Sequence, residues 1–304
     1  MSNSKGVAVI KIKGVKKRFG KVVALDDISL TVQKGHIHGF LGPNGAGKTT
    51  AIKILMDFIR PTSGKVSIFG MDARADSVKV KERVGYLSGD MELYDNLTGH
   101  QYLTYVAHLR GDGDYKHLAK LIRDLEVILD RKIGTLSRGN KQKIGLMAAL
   151  MTDPDLLILD EPTTGLDPLM QQKFYAVVRD YARRGKTVFM SSHILGEVQE
   201  VCDVITFMKK GKTVTTVDVK DLLSATKRHI VMKIDHHETA LEPSSQIEAT
   251  NIKRTKSTLS FDVPSADRKV LRWIATQPVS DVTITEANLD SIFMDMYEEE
   301  ESNV

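Results

Sequence analysis

The segment GPNGAGKTT, from Gly42 to Thr50, constrains the fold of this chain more than any other segment. It fits the pattern G-x-x-x-x-G-K-[ST], in which glycines let the backbone wrap closely around phosphate groups. The apolar run HIHGFLG leads into it, and the run AIKILMDFI, which has helical spacing, follows it. The pattern therefore predicts a phosphate-binding loop between a strand and a helix, with the positive amino end of the helix facing the anion and the helix ending before Arg60.

Each residue of this loop is a candidate contact to the phosphates of a nucleotide. Lys48 is expected to reach the β- and γ-phosphates, and the Thr49 hydroxyl is expected to hold Mg²⁺. The alternative, an ordinary glycine turn before a helix, is weakened because the flanking strand and helix are the context that the motif requires. The candidate nucleotide-binding residues are Gly42, Pro43, Asn44, Gly45, Ala46, Gly47, Lys48, Thr49 and Thr50.

A second candidate site element is the run LLILDEP, an apolar strand that ends in Asp160 and Glu161. A short, fully apolar run is typical of a parallel strand covered on both faces. In P-loop nucleotide hydrolases an aspartate in this position helps to hold Mg²⁺, and the adjacent Glu161 can act as a general base toward water. The alternative is a surface pair of acids at a strand end, which is disfavoured because the strand lies downstream of a phosphate-binding loop.

Strand-like and helix-like runs alternate along the first part of the chain, which favours an α/β fold with a mostly parallel sheet. The composition changes near residue 220, and beyond it VMKID, TLSFDV and VTIT are typical of strands. ADRKVLRWIA and ANLDSIFMDMYEEE are typical of helices. We therefore predict a larger domain over residues 1–220 and a small α+β domain over residues 221–304.

The charge and cysteine content argue against several classes of protein. The 304 residues carry a formal net charge of only +4, without clustering, so the charge gives no support for a nucleic-acid partner. The single cysteine, Cys202, cannot form an internal disulfide framework and fits a reducing cytoplasm. No segment approaches the ~20 apolar residues of a membrane-spanning helix, so the chain is not expected to cross a membrane by itself.

The order of its motifs makes the chain resemble the nucleotide-binding subunits of ABC transporters over residues 7–217. Besides the loop and the acidic strand end, TLSRGNKQKIGL is similar to the family signature LSGGQ, and TTGLD, which ends at Asp167, is similar to the D-loop. SSH places His193 at the switch histidine, and KRFGKVVALDDISL places Phe19 at the aromatic residue that stacks on adenine. The resemblance implies a P-loop fold with an antiparallel β subdomain and a helical subdomain at about residues 90–152.

The resemblance also implies a mechanism that needs two copies of the domain. The copies face each other head to tail, and each ATP lies between the loop of one copy and the signature of the other. Ser137 and Gly139 would contact the γ-phosphate of the ATP bound by the second copy, and His193 would hold this phosphate and the attacking water. ATP closes the pair, hydrolysis reopens it, and the motion drives a separate membrane permease, which would hold the chain on the cytoplasmic face of the membrane.

The signature motif departs from the family pattern at two positions. Arg138 replaces its first glycine, and Asn140 replaces its glutamine. Ser137 and Gly139, which make the phosphate contacts in the family, are both present. Activity is therefore expected to survive, with Arg138 either pointing away from the nucleotide or adding positive charge near the phosphates.

A larger departure is Gly89, which stands where the family has a glutamine that binds Mg²⁺. Glycine has no side chain to bind a metal, so water, Ser88 or Asp90 would have to take its place. ABC ATPases of the antibiotic and multidrug export type include some with a similar glycine, and many exporter ATPases carry a small carboxyl-terminal domain. Both features favour export over import.

Two other functions remain open on the sequence. A soluble ABC ATPase, such as a translation factor or a DNA-repair ATPase, would share the motifs, but translation factors normally carry two ATPase domains. The repair ATPases insert long coiled coils or zinc sites, and neither is visible in this sequence. A nucleotide-gated subunit with weak hydrolysis would fit Gly89 and Arg138, and a direct assay of phosphate release separates it from a transport ATPase.

Overall fold

The computed structural model describes residues 7–111, 115–224, 228–234, 243, 247–255 and 257–286. The chain forms two compact units, Met1–Val219 and Lys220–Val304. The larger unit contains a six-stranded and a four-stranded sheet, and the smaller unit contains another four-stranded sheet. Among the described residues, no helix is long and apolar enough to cross a membrane.

The six-stranded sheet determines where the candidate site lies. Its strands are β3 (Ile37–Leu41), β6 (Val84–Leu87), β7 (Leu156–Asp160), β8 (Thr187–Ser192), β9 (Val204–Lys209) and β10 (Lys212–Asp218). They are ordered β10-β9-β3-β8-β7-β6, and every neighbouring pair is parallel except β10 with β9. This confirms the predicted α/β fold with a mostly parallel sheet. Because β3, β8 and β7 are neighbours, the loops after their carboxyl ends meet at one edge of the sheet.

The second sheet of the larger unit is antiparallel. It contains β1 (Ala8–Phe19), β2 (Val22–Gln33), β4 (Ser63–Ile68) and β5 (Met71–Asp72), ordered β2-β1-β4-β5. In its middle stretch, β2 alternates buried and exposed residues, as expected when one face of a sheet packs on a core. Its buried face shares one apolar core with β3 and β7, through residues such as Ile10, Ile28 and Phe40.

Helices connect the strands of the larger unit. They are α1 (Lys48–Leu55), α2 (Ser77–Glu82), α3 (Gly99–Arg110), α4 (Lys116–Asp124), α5 (Arg138–Leu150), α6 (Pro168–Arg183) and α7 (Leu195–Val201). A further helix, α8 (Val219–Ser224), follows β10 and belongs mostly to the smaller unit. Both α3 and α4 pack on α5. The carboxylate of Asp167 caps α6 by accepting from the Met170 amide at 2.9 Å, and Pro168 occupies the first turn, where it leaves no bond unmade.

The predicted length of α1 is wrong. The helix ends at Leu55 instead of continuing to the residue before Arg60. Asp57 adopts φ +52, in the left-handed region, and Phe58 donates back to the Lys53 carbonyl while Asp57 donates to Ile54. These bonds form a helix-ending motif that usually has glycine at the left-handed position. Asp57 takes this position here, so the apolar spacing of the sequence did not reveal where the helix ends.

The smaller unit is an antiparallel sheet with one described helix packed into its core. Its elements are β11 (Arg228–Ile234), β12 (Thr250–Arg254), β13 (Thr258–Val263), α9 (Arg268–Ala275) and β14 (Val279–Glu286). The strand order is β12-β13-β11-β14. Val270 and Ile274 of α9 join the apolar core around Phe261. The helix predicted from ANLDSIFMDMYEEE lies outside the described residues.

Candidate nucleotide site

The phosphate-binding loop connects β3 to α1, and close backbone contacts shape it. A Cβ atom on Gly42 would lie 2.3 Å from the Met208 carbonyl oxygen, so only glycine fits there. Gly47 has φ +104, and a Cβ atom on it would lie 2.7 Å from the Ala24 carbonyl oxygen. Among the other predicted contacts, the exposed ones are Pro43, Asn44 and Gly45, and the buried or half-buried ones are Ala46, Thr49 and Thr50.

Lys48 is the first residue of α1, and its side chain is buried beneath the loop. Its amine donates to the carbonyl oxygens of Gly42 at 2.7 Å and Pro43 at 3.2 Å. The same nitrogen lies 3.5 Å from Oε1 of Glu161. Burial lowers the pKa of Lys48, and the carboxylates of Glu161 and Asp160 act against this. The Lys48 amine therefore lies beside the loop, bonded to carbonyl oxygens whose place phosphate oxygens can take.

Asp160 is the last residue of β7, and it is almost completely buried. Its Oδ1 accepts a 2.5 Å hydrogen bond from the Ser191 hydroxyl, whereas its Oδ2 is buried without a partner. Burial raises the pKa of Asp160, while the hydroxyls of Ser191 and Thr49 lower it. An unpartnered carboxylate oxygen in this position costs free energy unless a cation or donor binds to it.

Glu161 and His193 meet above the end of the sheet. Nδ1 of His193 lies 3.4 Å from Oε1 of Glu161, the oxygen that also faces Lys48. The Glu161 side chain is 26% exposed and that of His193 is 40% exposed, so water reaches both. Glu161 has φ +48, an unusual conformation for glutamate, and its amide donates to Ser191 Oγ at 3.0 Å. The structure therefore brings a partly exposed acid and a histidine together beside the loop lysine.

Gly89 lies close to the buried carboxylate of Asp160. A Cβ atom built on Gly89 would lie 3.6 Å from Oδ2 of Asp160, the unpartnered oxygen. Burial, with smaller effects of the Asp160 and Asp90 charges, raises the pKa of the Tyr86 hydroxyl, while the Ser88 hydroxyl lowers it. Ser88 and Asp90 flank Gly89, so water or either of these side chains stays the predicted replacement for the missing glutamine.

Phe19 lies at the tip of the β1–β2 hairpin, and its ring is half exposed. The Lys17 amine lies 4.7 Å from the centre of this ring, and Val22 and Val23 beside it are also exposed. The next residue of β2, Ala24, is the one whose carbonyl approaches Gly47. The hairpin that borders the loop thus carries an exposed aromatic face, the kind of surface on which a base can stack.

Ser137 and Gly139 form a separate group with the D-loop. Ser137 is exposed and caps α5, where its Oγ accepts from the Asn140 side-chain amide at 3.1 Å. A Cβ atom on Gly139 would lie 2.5 Å from the Gly165 carbonyl oxygen, and the stem of Arg138 lies over the same Gly165. No hydrogen bond or ion pair of the described residues joins this group to the phosphate-binding loop.

Four residues that organise the site, Ser191, Thr163, Ser192 and Glu197, were not predicted from the sequence. Ser191 contacts both acids at the end of β7, and Glu197 accepts from the hydroxyls of Thr163 and Ser192. The runs TTGLD and SSH lie in these segments, but the sequence predicted roles only for Asp167 and His193 within them. Three of the contacts join residues 30, 31 and 34 positions apart, which no local spacing reveals, and the Ser192–Glu197 contact spans five positions.

Comparison with known proteins identifies the family model and the relatives that this chain matches. The family model that matches is described as ABC transporter, and it matches residues 25–164. The chain is similar to the probable multidrug ABC transporter ATP-binding protein YbhF of Escherichia coli (strain K12), with 36% identity over 222 residues, 71% of this chain and 38% of that protein. The chain therefore spans well under half the length of that relative.

Two further relatives match over most of their own length. The uncharacterized ABC transporter ATP-binding protein YcbN of Bacillus subtilis (strain 168) is 30% identical over 289 residues, which are 92% of each chain. The bacitracin transport ATP-binding protein BcrA of Enterococcus faecalis is 34% identical over 224 residues, which are 73% of each chain. These matches extend well beyond the segment covered by the family model.

Solved structures share the fold. An ATP-binding subunit of an ABC transporter has a TM-score of 0.66 and 26% identity, over 70% of this chain and 91% of that chain. A dimeric, post-hydrolysis ATP-binding cassette bound to ADP and Pi has a TM-score of 0.63 over 69% of this chain and 98% of that chain. At 22% identity, the second likeness shows the fold alone.

Proposed function

We propose that this chain, which belongs to the family of ABC transporter ATP-binding proteins, binds ATP with Mg²⁺ and hydrolyses it to drive transport through a separate membrane permease. The observation that carries the proposal is the arrangement of Lys48, Glu161 and His193. Oε1 of Glu161 lies 3.5 Å from the lysine amine and 3.4 Å from the histidine ring nitrogen, beside the phosphate-binding loop.

Binding of the triphosphate would use the loop and Lys48. The inward-facing amides of Gly42–Thr50 and the amino end of α1 favour an anion. Lys48 would exchange its bonds to the Gly42 and Pro43 carbonyls for bonds to the β- and γ-phosphates. The phosphate charge would also oppose the effect of burial on its pKa and keep the amine protonated. Phe19 supplies the surface on which adenine would stack.

The residues present fit a magnesium ion at Asp160. Its Oδ2 is buried without a partner, and the Thr49 hydroxyl lies close to the same carboxylate. Mg²⁺ is usually bound through one or two carboxylates together with substrate phosphates and water, which this donor set allows. When bound, the ion neutralises charge on the phosphates. Asp160 and Thr49 would hold it, while Gly89 contributes no ligand.

Hydrolysis would use Glu161 as the base. Its carboxylate accepts a proton from water as the water oxygen bonds to the γ-phosphorus and the bond to the ADP oxygen breaks. His193, on the other side of the same carboxylate, would hold the γ-phosphate and the attacking water. The left-handed backbone at Glu161 projects its side chain away from the strand, where water can reach it.

A second copy of the chain would complete the site. Ser137 is exposed at the amino end of α5, and Gly139 and Asp167 lie beside it, but this group does not contact the loop of its own chain. Two chains arranged head to tail would bring the group of one chain to the γ-phosphate on the other, stabilising charge in trans. The solved cassette with the same fold is a dimer, and its likeness to this chain extends to the fold alone.

Export is the direction of transport that we favour. The relatives include one protein named for multidrug transport and one named for bacitracin transport, and the second matches over 73% of its length. With the permease in a separate chain, this protein would lie on the cytoplasmic face of the membrane, and residues 221–304 would form an accessory domain. No nucleic-acid partner is expected from the charge.

Phosphate release by purified protein tests the proposal. The wild-type chain should release phosphate from ATP in the presence of Mg²⁺, and Lys48→Ala should reduce turnover by at least about 100-fold, since it removes a charged contact to the reacting phosphate. Lys53→Ala, on the same helix, is the matched control and should retain turnover. Equal turnover in wild type and Lys48→Ala would contradict the proposed site.

A further inference from the structure

Glu197 is a buried carboxylate for which the proposed reaction has no direct use. It lies in α7 and is only 7% exposed. A carboxylate in such a position is costly unless hydrogen bonds satisfy it, because burial removes its contact with water. Both of its oxygens have partners in the structure, and these partners come from two different loops of the site.

The first partner is in the D-loop and the second is beside the switch histidine. The Thr163 hydroxyl donates to Oε1 of Glu197 at 2.7 Å, and the Ser192 hydroxyl donates to Oε2 at 2.6 Å. Both hydroxyls are buried. Thr163 is two residues after Glu161, and Ser192 is the residue before His193. One carboxylate thus connects the two segments that carry the proposed base and the histidine.

The sheet does not by itself set the relation between these segments. Asp160 and Ser191 are the last residues paired between β7 and β8, so the D-loop has left the sheet at Thr163, whereas Ser192 still pairs with Leu41 of β3. There, the Ile194 amide donates to Ser192 Oγ at 3.0 Å, which folds the chain after His193 back on the same hydroxyl. The Glu197 carboxylate joins Thr163 of the D-loop to Ser192 at the end of β8, in addition to the bond from the Glu161 amide to Ser191 Oγ.

We propose that Glu197 is a positioning residue that sets the distance between Glu161 and His193. This inference rests on the proposed function, because it concerns the residues assigned there as base and phosphate contact. Each oxygen of the carboxylate accepts one hydroxyl, so it acts as a fixed bridge between the D-loop and the switch segment. Loss of either bond would allow the 3.4 Å contact between Glu161 and His193 to change.

Substitution can separate this role from bulk packing. Glu197→Gln keeps the size of the side chain, but its amide nitrogen is a donor and cannot accept a hydroxyl proton. Thr163→Val keeps the shape of threonine and removes only the donor to Oε1. Glu200→Gln is the matched control, because Glu200 is on the next turn of the chain after Glu197, is exposed and pairs with Arg179 outside the site.

Steady-state hydrolysis and hydrogen–deuterium exchange test the bridge together. Glu197→Gln and Thr163→Val should each lower kcat at least about tenfold with KM for ATP nearly unchanged, because misplaced groups slow the chemical step more than they weaken binding. The double variant should be no slower than the slower single variant, since both changes break one contact. Amides of residues 161–167 and 192–196 should exchange faster in Glu197→Gln than in Glu200→Gln.

Several results would overturn the inference. One is a kcat for Glu197→Gln that matches the Glu200→Gln control, and another is single-variant effects that multiply in the double variant. Hydrogen–deuterium exchange that is unchanged in both loops of Glu197→Gln would also overturn the inference. If the wild type released no phosphate, the proposed function would fail, while faster exchange in both loops would still support the bridge.

Discussion

At the scale of single residues, Ser191 sets the geometry of the two acids. Its hydroxyl donates to Asp160, and its oxygen accepts from the amide of Glu161, whose φ of +48 lies in the left-handed region. A non-glycine residue in this conformation costs on the order of 1 kcal/mol or more, and such strain is often found where function requires it. We interpret the strained turn as the feature that buries the Asp160 carboxylate and exposes that of Glu161.

Gly89 provides a direct test of how Asp160 would hold a metal. Gly89→Gln would add an amide oxygen near Oδ2. The backbone of Gly89 is outside the left-handed region, and the new Cβ atom would lie 3.2 Å from the Asp160 carbonyl oxygen, so a small local shift is expected. The Mg²⁺ concentration for half-maximal hydrolysis should fall, on the order of 10-fold, as a ligand is added. The measurement is a magnesium titration of phosphate release.

Gly89→Ala is the control for this prediction. It adds the same Cβ atom, 3.2 Å from the Asp160 carbonyl oxygen, without the amide oxygen. It should leave the magnesium requirement unchanged. If Gly89→Ala and Gly89→Gln shift the titration equally, the effect arises from crowding and the missing-ligand interpretation is wrong.

The motif residues were predictable from the sequence, whereas their supports were not. Lys48, Asp160 and His193 lie in sequence motifs whose spacing, context or family resemblance predicts their chemistry. The comparisons confirm the family. Ser191 and Glu197 act through contacts 30 and 34 positions along the chain. A serine at a strand end and a glutamate in a helix have no distinctive local pattern, so only the fold identifies them.

At the scale of elements, the buried strands were predictable and the polar ones were not. β3 and β7 appear in the sequence as short apolar runs and are fully buried. β10, with the sequence KTVTTVD, is largely exposed and pairs antiparallel at the edge of the sheet. β12 is exposed along its length and has no apolar alternation. These two strands form because they pair with neighbouring strands, and the local sequence pattern gives little indication of that pairing.

β3 also carries a buried histidine that should affect stability at low pH. His38 bonds to the Thr206 hydroxyl at 2.8 Å and packs against Phe189. Burial, with a smaller effect of His36, lowers the pKa of His38 from 6.5 to about 4. Between these values the unfolded chain binds a proton that the folded chain does not, so stability is lost as the pH falls from 6.5 toward 4, by on the order of 3 kcal/mol.

Urea unfolding at several pH values checks this expectation. His38→Gln cannot titrate, so its free energy of unfolding should fall less than that of wild type between pH 6.5 and 4. His108→Gln is the control, because His108 is exposed on α3, and it should keep the wild-type slope. Equal slopes for wild type and His38→Gln would show that His38 does not contribute to the pH dependence.

At the scale of the whole molecule, the proposed site has two halves in each chain, and among the described residues no hydrogen bond or ion pair joins Ser137 or Gly139 to the phosphate-binding loop. The loop with Lys48 and the acids forms one half, and the exposed Ser137 with Gly139 and the D-loop forms the other. A head-to-tail pair of chains would form two complete sites, each from one half of either chain. This arrangement explains why Arg138 can replace a glycine, since its stem packs over Gly165 of its own D-loop and leaves Ser137 exposed.

The most direct measurement of this claim is the solution mass of Glu161→Gln with and without ATP. The variant should bind ATP, release no phosphate and run at the mass of two chains in light scattering, and it should return to the mass of one chain when ATP is removed. Wild type should hydrolyse its ATP and not accumulate the pair. Glu161→Gln that binds ATP yet keeps the mass of one chain, or that turns over ATP like wild type, would contradict a shared site in which Glu161 is the base.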